Sequence, residues 1–143
     1  MRFGNLLRLL LVLVASAPAL AADQGQRGKA PAVYISVAGA PGDGEEALAA
    51  ALGRRLEALG VRQATAFEAE VYDVQGTVRV SPVPGGKETV TIVWVVIGPD
   101  GNQLGVTKQT KDVKKGSLSK KWGAAADAAA SAAASDIAQL LPH

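Results

Sequence analysis

The chain has 143 residues, of which 15 are Lys or Arg and 13 are Asp or Glu, and it contains no cysteine and one histidine. This length allows one domain of ordinary size, and a hydrophobic fraction of 48% is too high for a disordered chain. Without cysteine, the sequence offers no disulfide, thiol nucleophile, thiolate metal ligand or lipid-bearing cysteine.

The first 22 residues are typical of a secretory signal peptide. Two arginines, Arg2 and Arg8, precede an apolar run over 9–14. The sequence Ala-Leu-Ala at 19–21 has the small-x-small form that signal peptidase recognises. An uncleaved anchor is the alternative, but the apolar run is shorter than the roughly 20 residues that a spanning helix needs. We therefore expect cleavage near Ala21 or Ala22, a periplasmic location, and no transmembrane span in the mature chain.

Both charged residues of this segment are arginines, so the basic excess of the sequence belongs to the predicted signal. Removing these two from 15 basic residues leaves 13, which balance the 13 acidic residues of the remaining chain. We therefore expect no nucleic-acid partner. The predicted organisation is a signal peptide over 1–22, a polar and flexible lead-in over 23–31, and a single domain over 32–143.

The predicted domain begins with a strand and a helix joined by a glycine-rich loop. Residues 32–37 are mostly β-branched or aromatic, which is typical of a buried strand. Apolar residues at helical spacing predict a helix over 44–59. Asp43 and Glu46 have the spacing of a capping box, so we expect Asp43 to cap this helix.

Three strands joined by short turns follow. Apolar and polar residues alternate over 72–80, a period of two that predicts one buried face. Residues 89–97 are rich in β-branched side chains, and the turn sequence Pro-Asp-Gly-Asn after them leads into a strand over 103–110. The three strands predict an antiparallel meander.

A closing helix is predicted over 121–141. One helical face carries Trp122, Ala126, Ala129, Ala133, Ile137 and Leu140. The element order is β-α-β-β-β-α. We expect an α+β fold in which a four-stranded, mainly antiparallel sheet has both helices packed on one face.

Few residues are arranged for catalysis. The only imidazole of the sequence belongs to His143, the last residue, where we expect disorder, so we expect no Ser-His-Asp triad, Cys-His pair or histidine metal site. Ser117 and Lys120 match the Ser-x-x-Lys pattern of penicillin-binding enzymes, but none of the other motifs of those enzymes accompanies it. The glycine-rich loop over 39–44 lies between a strand and a helix, as phosphate-binding loops do. Asp43 puts a negative charge where the phosphate would bind, so we do not expect a phosphate site there. We expect a binding protein with no catalytic residue, no metal site and no cofactor.

A lysine-rich stretch is one candidate binding site. It extends over 108–121, up to the start of the predicted last helix, and contains a single acidic residue, Asp112. Its lysines are Lys108, Lys111, Lys114, Lys115, Lys120 and Lys121. In an exported protein they would suit anions such as lipid or lipopolysaccharide headgroups. An ordinary solvated loop is the alternative interpretation.

The second candidate is the face of the strand over 89–97 that points away from the helices. If Trp94 is buried, then Val93, Val95 and Ile97 lie on the face that is normally polar in a sheet covered on one side. Either the segment around Phe67 covers these three residues, or they form a surface for a partner.

Several short motifs occur in order along the chain: GAPGDG at 39–44, VQGTV at 74–78, IVW at 92–94, PDG at 99–101, GSL at 116–118 and WG at 122–123. Together they resemble an uncharacterised family of small exported proteins and lipoprotein domains of Gram-negative bacteria, although the lipidation cysteine is missing. The element order is also similar to that of the lipopolysaccharide-assembly lipoprotein that plugs an outer-membrane barrel. The resemblance implies a location in the cell envelope, and the family offers no activity that could be carried over to this chain.

These observations favour a non-enzymatic periplasmic protein that binds another cell-envelope component. The partner would bind through Val93, Val95 and Ile97, and direct binding of headgroups by the lysines is the alternative.

The predicted signal peptide can be tested by mass spectrometry. The full chain, expressed in a Gram-negative host and recovered from the periplasm, should begin at Ala22 or Asp23, because signal peptidase cleaves after a small-x-small sequence. Replacing Ala21 by Arg should leave the precursor uncleaved. A periplasmic or membrane-bound product that keeps Met1 in the unaltered chain would contradict the prediction.

Overall fold

Five strands and two helices make up the part of the protein that the computed structural model describes, residues 30–66 and 70–142. In chain order the elements are β1 (Ala32–Ala38), α1 (Gly44–Ala58), β2 (Arg62–Gln63), β3 (Tyr72–Val83), β4 (Lys87–Ile97), β5 (Gln103–Lys114) and α2 (Ala124–Leu140). The predicted signal peptide and residues 23–29 of the predicted lead-in lie outside the described residues. Within the described ranges, no helix is long and apolar enough to cross a membrane.

All five strands form one sheet in the order β2-β1-β3-β4-β5. Strands β3, β4 and β5 form the expected antiparallel meander, whereas β1 runs parallel to both of its neighbours, β2 and β3. The α+β class is confirmed, but the expected four-stranded, mainly antiparallel sheet is wrong, because the sheet has five strands and is mixed. The missed strand contains only Arg62 and Gln63, both exposed, and two residues are too few to show a period.

The two helices pack side by side on one face of the sheet. α1 contacts β1 and β2, α2 contacts β4 and β5, and the helices contact each other. The apolar core lies in this layer and includes Leu48, Leu52, Leu56, Val74, Val78, Ile92, Trp94, Val96 and Ile137. The side of α2 that is buried beside α1 carries mostly alanine, and these short side chains let the helix axes approach closely.

Trp94, near the middle of β4, is the largest fully buried side chain among the described residues. Gly76 lies next to it on β3, where an added Cβ would sit 2.5 Å from the Cζ3 carbon of Trp94, so glycine leaves the space that the indole needs. The indole Nε1 donates a hydrogen bond of 3.2 Å to Oε1 of Gln109 on β5. Gln109 in turn donates from Nε2 to the carbonyl oxygen of Ala129 on α2, also at 3.2 Å. The polar atom of the tryptophan is therefore satisfied inside the core.

The two glycine-containing loops that precede α1 and α2 are joined by three hydrogen bonds. The backbone N–H of Asp43 donates to the carbonyl oxygen of Lys120, and the backbone N–H of Trp122 donates to Oδ1 of Asp43, each at 2.8 Å. The indole Nε1 of Trp122 donates to the carbonyl oxygen of Pro41 at 2.8 Å. We call these four residues, Pro41, Asp43, Lys120 and Trp122, the loop clasp.

The capping box that the sequence predicts at Asp43 is not formed, because Asp43 belongs to the loop clasp. The Asp43 side chain makes no capping hydrogen bond to α1, because its Oδ1 accepts from Trp122 instead. Gly42 has a φ of +62°, and a Cβ there would collide with the carbonyl oxygen of Lys120. α2 begins at Ala124 rather than at 121, since Trp122 is held in the loop clasp. The GAPGDG and WG motifs therefore meet in space.

Replacing Asp43 by Ala should lower the free energy of unfolding by about 1–3 kcal/mol, because one of the three hydrogen bonds of the loop clasp, from the Trp122 backbone N–H to Oδ1 of Asp43, is lost and leaves that N–H without its acceptor. Glu46→Ala is the matched control, because Glu46 is exposed and would matter only in a capping box. It should change the free energy of unfolding by less than about 0.5 kcal/mol. Urea denaturation followed by tryptophan fluorescence gives both values. Equal destabilisation by the two substitutions would restore the capping-box interpretation.

Candidate functional site

Strand β4 carries large apolar side chains on both of its faces. Its even-numbered residues from Val90 to Val96 are buried against the helices, and its odd-numbered residues from Thr89 to Ile97 are half-buried on the opposite face. We call this opposite side the open face, because no helix or strand of the described residues packs on it. The alternation of β4 thus brings Val93, Val95 and Ile97 to one face, as the sequence pattern predicts.

The neighbouring strands determine what surrounds these residues. Val95 pairs with Val106 on β5, and Val106 is 50% exposed. Val93 pairs with Lys108 on β5 and with Thr77 on β3. Because residues paired across a sheet point to the same face, Val106 extends the apolar surface. We call Val93, Val95, Ile97 and Val106 the open-face strip.

The open-face strip has polar surroundings. Gln75 and Thr77 of β3 lie beside it on the open face, and both are exposed. At the far end of the same face, the Thr89 hydroxyl donates a hydrogen bond of 2.6 Å to Oδ1 of Asp112. The open face therefore changes from polar to apolar along β4, and the apolar part is confined to one end.

The segment around Phe67 was the other possible cover for this face. Residues 67–69 lie outside the described residues, so cover by this segment stays a prediction.

The six lysines of the second candidate site do not share one surface. Lys108 pairs with Val93 and lies on the open face, whereas Lys111 pairs with the buried Val90 and lies on the helix-covered face. Lys114 ends β5, and Lys115, Lys120 and Lys121 lie in the loop before α2. All six are exposed. The structure therefore distributes the lysines over both faces of β5 and the loop that follows.

No group of three or more His, Asp or Glu side chains suited to a metal ion is found in residues 30–66 and 70–142. His143 lies outside the described residues. Ser117 and Lys120 are both exposed in the loop before α2, where the neighbouring Ser119 hydroxyl donates to the carbonyl oxygen of Gly116 at 2.8 Å. The expectation that the chain is not an enzyme stays a prediction.

Sequence reasoning missed Val106 as a member of the site. Leu104 and Val106 stand two residues apart and are the only large apolar residues between 103 and 112, and this spacing is the only signal in the sequence. A register shift between Val96 and Ile97 decides which β5 residue pairs with Val95. The contribution of Val106 therefore follows from the register and could not be read from the spacing alone.

Three solved structures are similar to this chain at low sequence identity. The PelC dodecamer from Paraburkholderia phytofirmans is 17% identical, with 79% of this chain and 88% of that chain covered and a TM-score of 0.50. An uncharacterised protein is 12% identical, with 77% and 90% covered and a TM-score of 0.52. A minor lipoprotein from Acinetobacter baumannii is 13% identical, with 76% and 92% covered and a TM-score of 0.49.

Sequence comparison adds no relative. No protein-family model matches the chain, and no curated protein is significantly similar to it in sequence. The motifs quoted for the family resemblance therefore stay a prediction. The two structures with TM-scores of 0.50 and 0.52 support the architecture of the sheet and helices and nothing finer.

Proposed function

We propose that the protein is an exported, non-enzymatic component of the cell envelope, which binds another envelope component through the open-face strip. The observation that carries this proposal is the apolar end of the open face, where Val95 and Val106 lie side by side and Val106 is half exposed. A sheet covered on one face ordinarily carries polar residues on the other.

The surroundings of the open-face strip support a protein interface. Binding surfaces combine an apolar centre with a polar rim that is still in contact with water. Here the centre is formed by β-branched side chains on two neighbouring strands, and the rim by Gln75, Thr77 and Lys108. β-branched side chains in a sheet have few rotamers to lose on binding, so their burial costs little conformational entropy.

Export is supported by the predicted signal peptide at residues 1–22. The PelC structure with this fold is a dodecamer, so a second copy of this chain is one candidate for the partner. Headgroup binding by the lysines is the weaker candidate, because Lys108 and Lys111 lie on opposite faces of β5 and cannot contact one headgroup together.

A photocrosslinking amino acid placed at position 106 tests the proposal in intact cells of the native host. Illumination should give an adduct of discrete mass, and the same amino acid at position 57 should give none, because Glu57 is on α1, on the side of the sheet away from the open-face strip. Val95→Asp in the same chain should reduce the adduct about tenfold, the loss expected for a charge in an apolar interface centre.

Val95→Thr is the matched control, since it keeps the branched shape without adding a charge, and it should retain most of the adduct. The free energy of unfolding of each purified variant shows that the fold is kept. Absence of an adduct from position 106, or an undiminished adduct with Val95→Asp in a folded chain, would reject the proposal. An adduct with twice the mass of the chain would identify the partner as a second copy.

A further inference from the structure

A cavity of about 330 Å³ lies between α2 and the helix-covered face of β4 and β5. It is on the opposite side of the sheet from the open-face strip, so it is independent of the function proposed above. Its lining is mostly apolar and consists of Val90, Ile92, Gln109, Thr110, Lys111, Val113, Leu118, Trp122, Ala125, Ala128, Ala129 and Ala132.

The cavity exists because α2 follows β5 closely at one end only. Near the C-terminal end of α2, Leu140 packs directly on Gly105, and the Thr107 hydroxyl donates to Oδ2 of Asp136 at 3.3 Å. Toward the N-terminal end, the side of α2 that faces β5 carries only alanines, whose methyl groups are too short to fill the space above Val113. The loop clasp holds Trp122 at the end of this space.

The polar groups of the lining are of two kinds. Both ends of the Gln109 amide already have partners, Trp94 and the carbonyl oxygen of Ala129, so this side chain requires none from a ligand. Lys111 is exposed, and it is the one charged residue in the lining. Because no carboxylate lines the cavity, nothing there neutralises its ammonium group. The cavity thus combines apolar walls with a single cation.

We infer that this cavity binds a single alkyl chain that ends in a carboxylate, a fatty acid, with the chain between α2 and β5 and the carboxylate beside the Lys111 Nζ. The volume of the cavity limits the length of the alkyl chain. A methylene group occupies about the volume of a water molecule, about 30 Å³, so a chain of roughly ten carbons fills the cavity.

Burial of the chain supplies the affinity, and Lys111 supplies the preference for an anion. An exposed lysine alone binds a carboxylate weakly in water, whereas every methylene group moved from water into apolar surroundings adds a favourable contribution. The arrangement of apolar walls with one polar group is that of small-molecule sites in general.

Tryptophan fluorescence provides a direct readout with 11-bromoundecanoate, because bromine quenches an indole that it contacts. The chain has two tryptophans, and Trp122 lines the cavity. Titration of the mature protein should give saturable quenching. Ala129→Leu should fill the cavity and weaken binding at least about tenfold, the loss of about 1.4 kcal/mol of binding free energy. Ala50→Leu on the exposed surface of α1 is the matched control and should leave binding unchanged.

Lys111→Gln should weaken binding of 11-bromoundecanoate several-fold and leave that of 11-bromoundecanol unchanged, because only the acid carries a charge. Lys87→Gln, at the exposed start of β4 and outside the cavity lining, is its control. Ala132→Leu at the cavity wall serves as a second filling variant if Ala129→Leu does not fold. Non-saturable quenching, or equal affinity in a folded filling variant, would overturn the proposal. Equal loss for the acid and the alcohol in Lys111→Gln would overturn the role of Lys111.

Discussion

The position of α2 is the constraint on which the rest of the structure depends. Ten of the 17 residues of the helix are alanine, and four of these alanines are buried, Ala126, Ala130, Ala133 and Ala134. Alanine favours a helix and allows close approach to α1, but it contributes little apolar area of its own. Two larger buried residues, Trp122 just before the helix and Ile137 near its C-terminal end, therefore anchor the helix in the core. The same short side chains leave the cavity open beside β5.

Elements whose signals are local could be predicted from the sequence. The amphipathic pattern of α1, the alternation of β3 and the turn before β5 each act over a few residues, and the corresponding elements are present. The capping-box prediction was wrong because the partner of the Asp43 side chain, Trp122, is 79 residues away in the sequence, and no local pattern reports such a distant contact. An aspartate that binds a distant loop and an aspartate that caps its own helix can stand at the same position with the same neighbours. The sequence pattern therefore does not distinguish the two.

The same distinction applies to the candidate sites. The alternation of β4 gave Val93, Val95 and Ile97, because one buried tryptophan fixes the face of every other residue in the strand. Val106 became part of the site only through the register of β4 and β5. The lysines looked like one cluster in the sequence, yet alternation within β5 sends Lys108 and Lys111 to opposite faces. Closeness in sequence indicates a shared surface in a loop, but not in a strand.

The chemical accessibility of the open-face strip tests the central claim most directly, namely that a partner covers this face and the chain itself does not. The sequence contains no cysteine, so a single cysteine at position 106 or 93 reports its own site. In the purified protein, a cysteine at half-exposed position 106 should react with a maleimide about as fast as one at exposed position 50, and one at half-buried position 93 should react more slowly. In intact cells, positions 106 and 93 alone should lose reactivity relative to the purified protein. Protection of position 106 in the purified protein, or unchanged reactivity of positions 106 and 93 in cells, would contradict the claim.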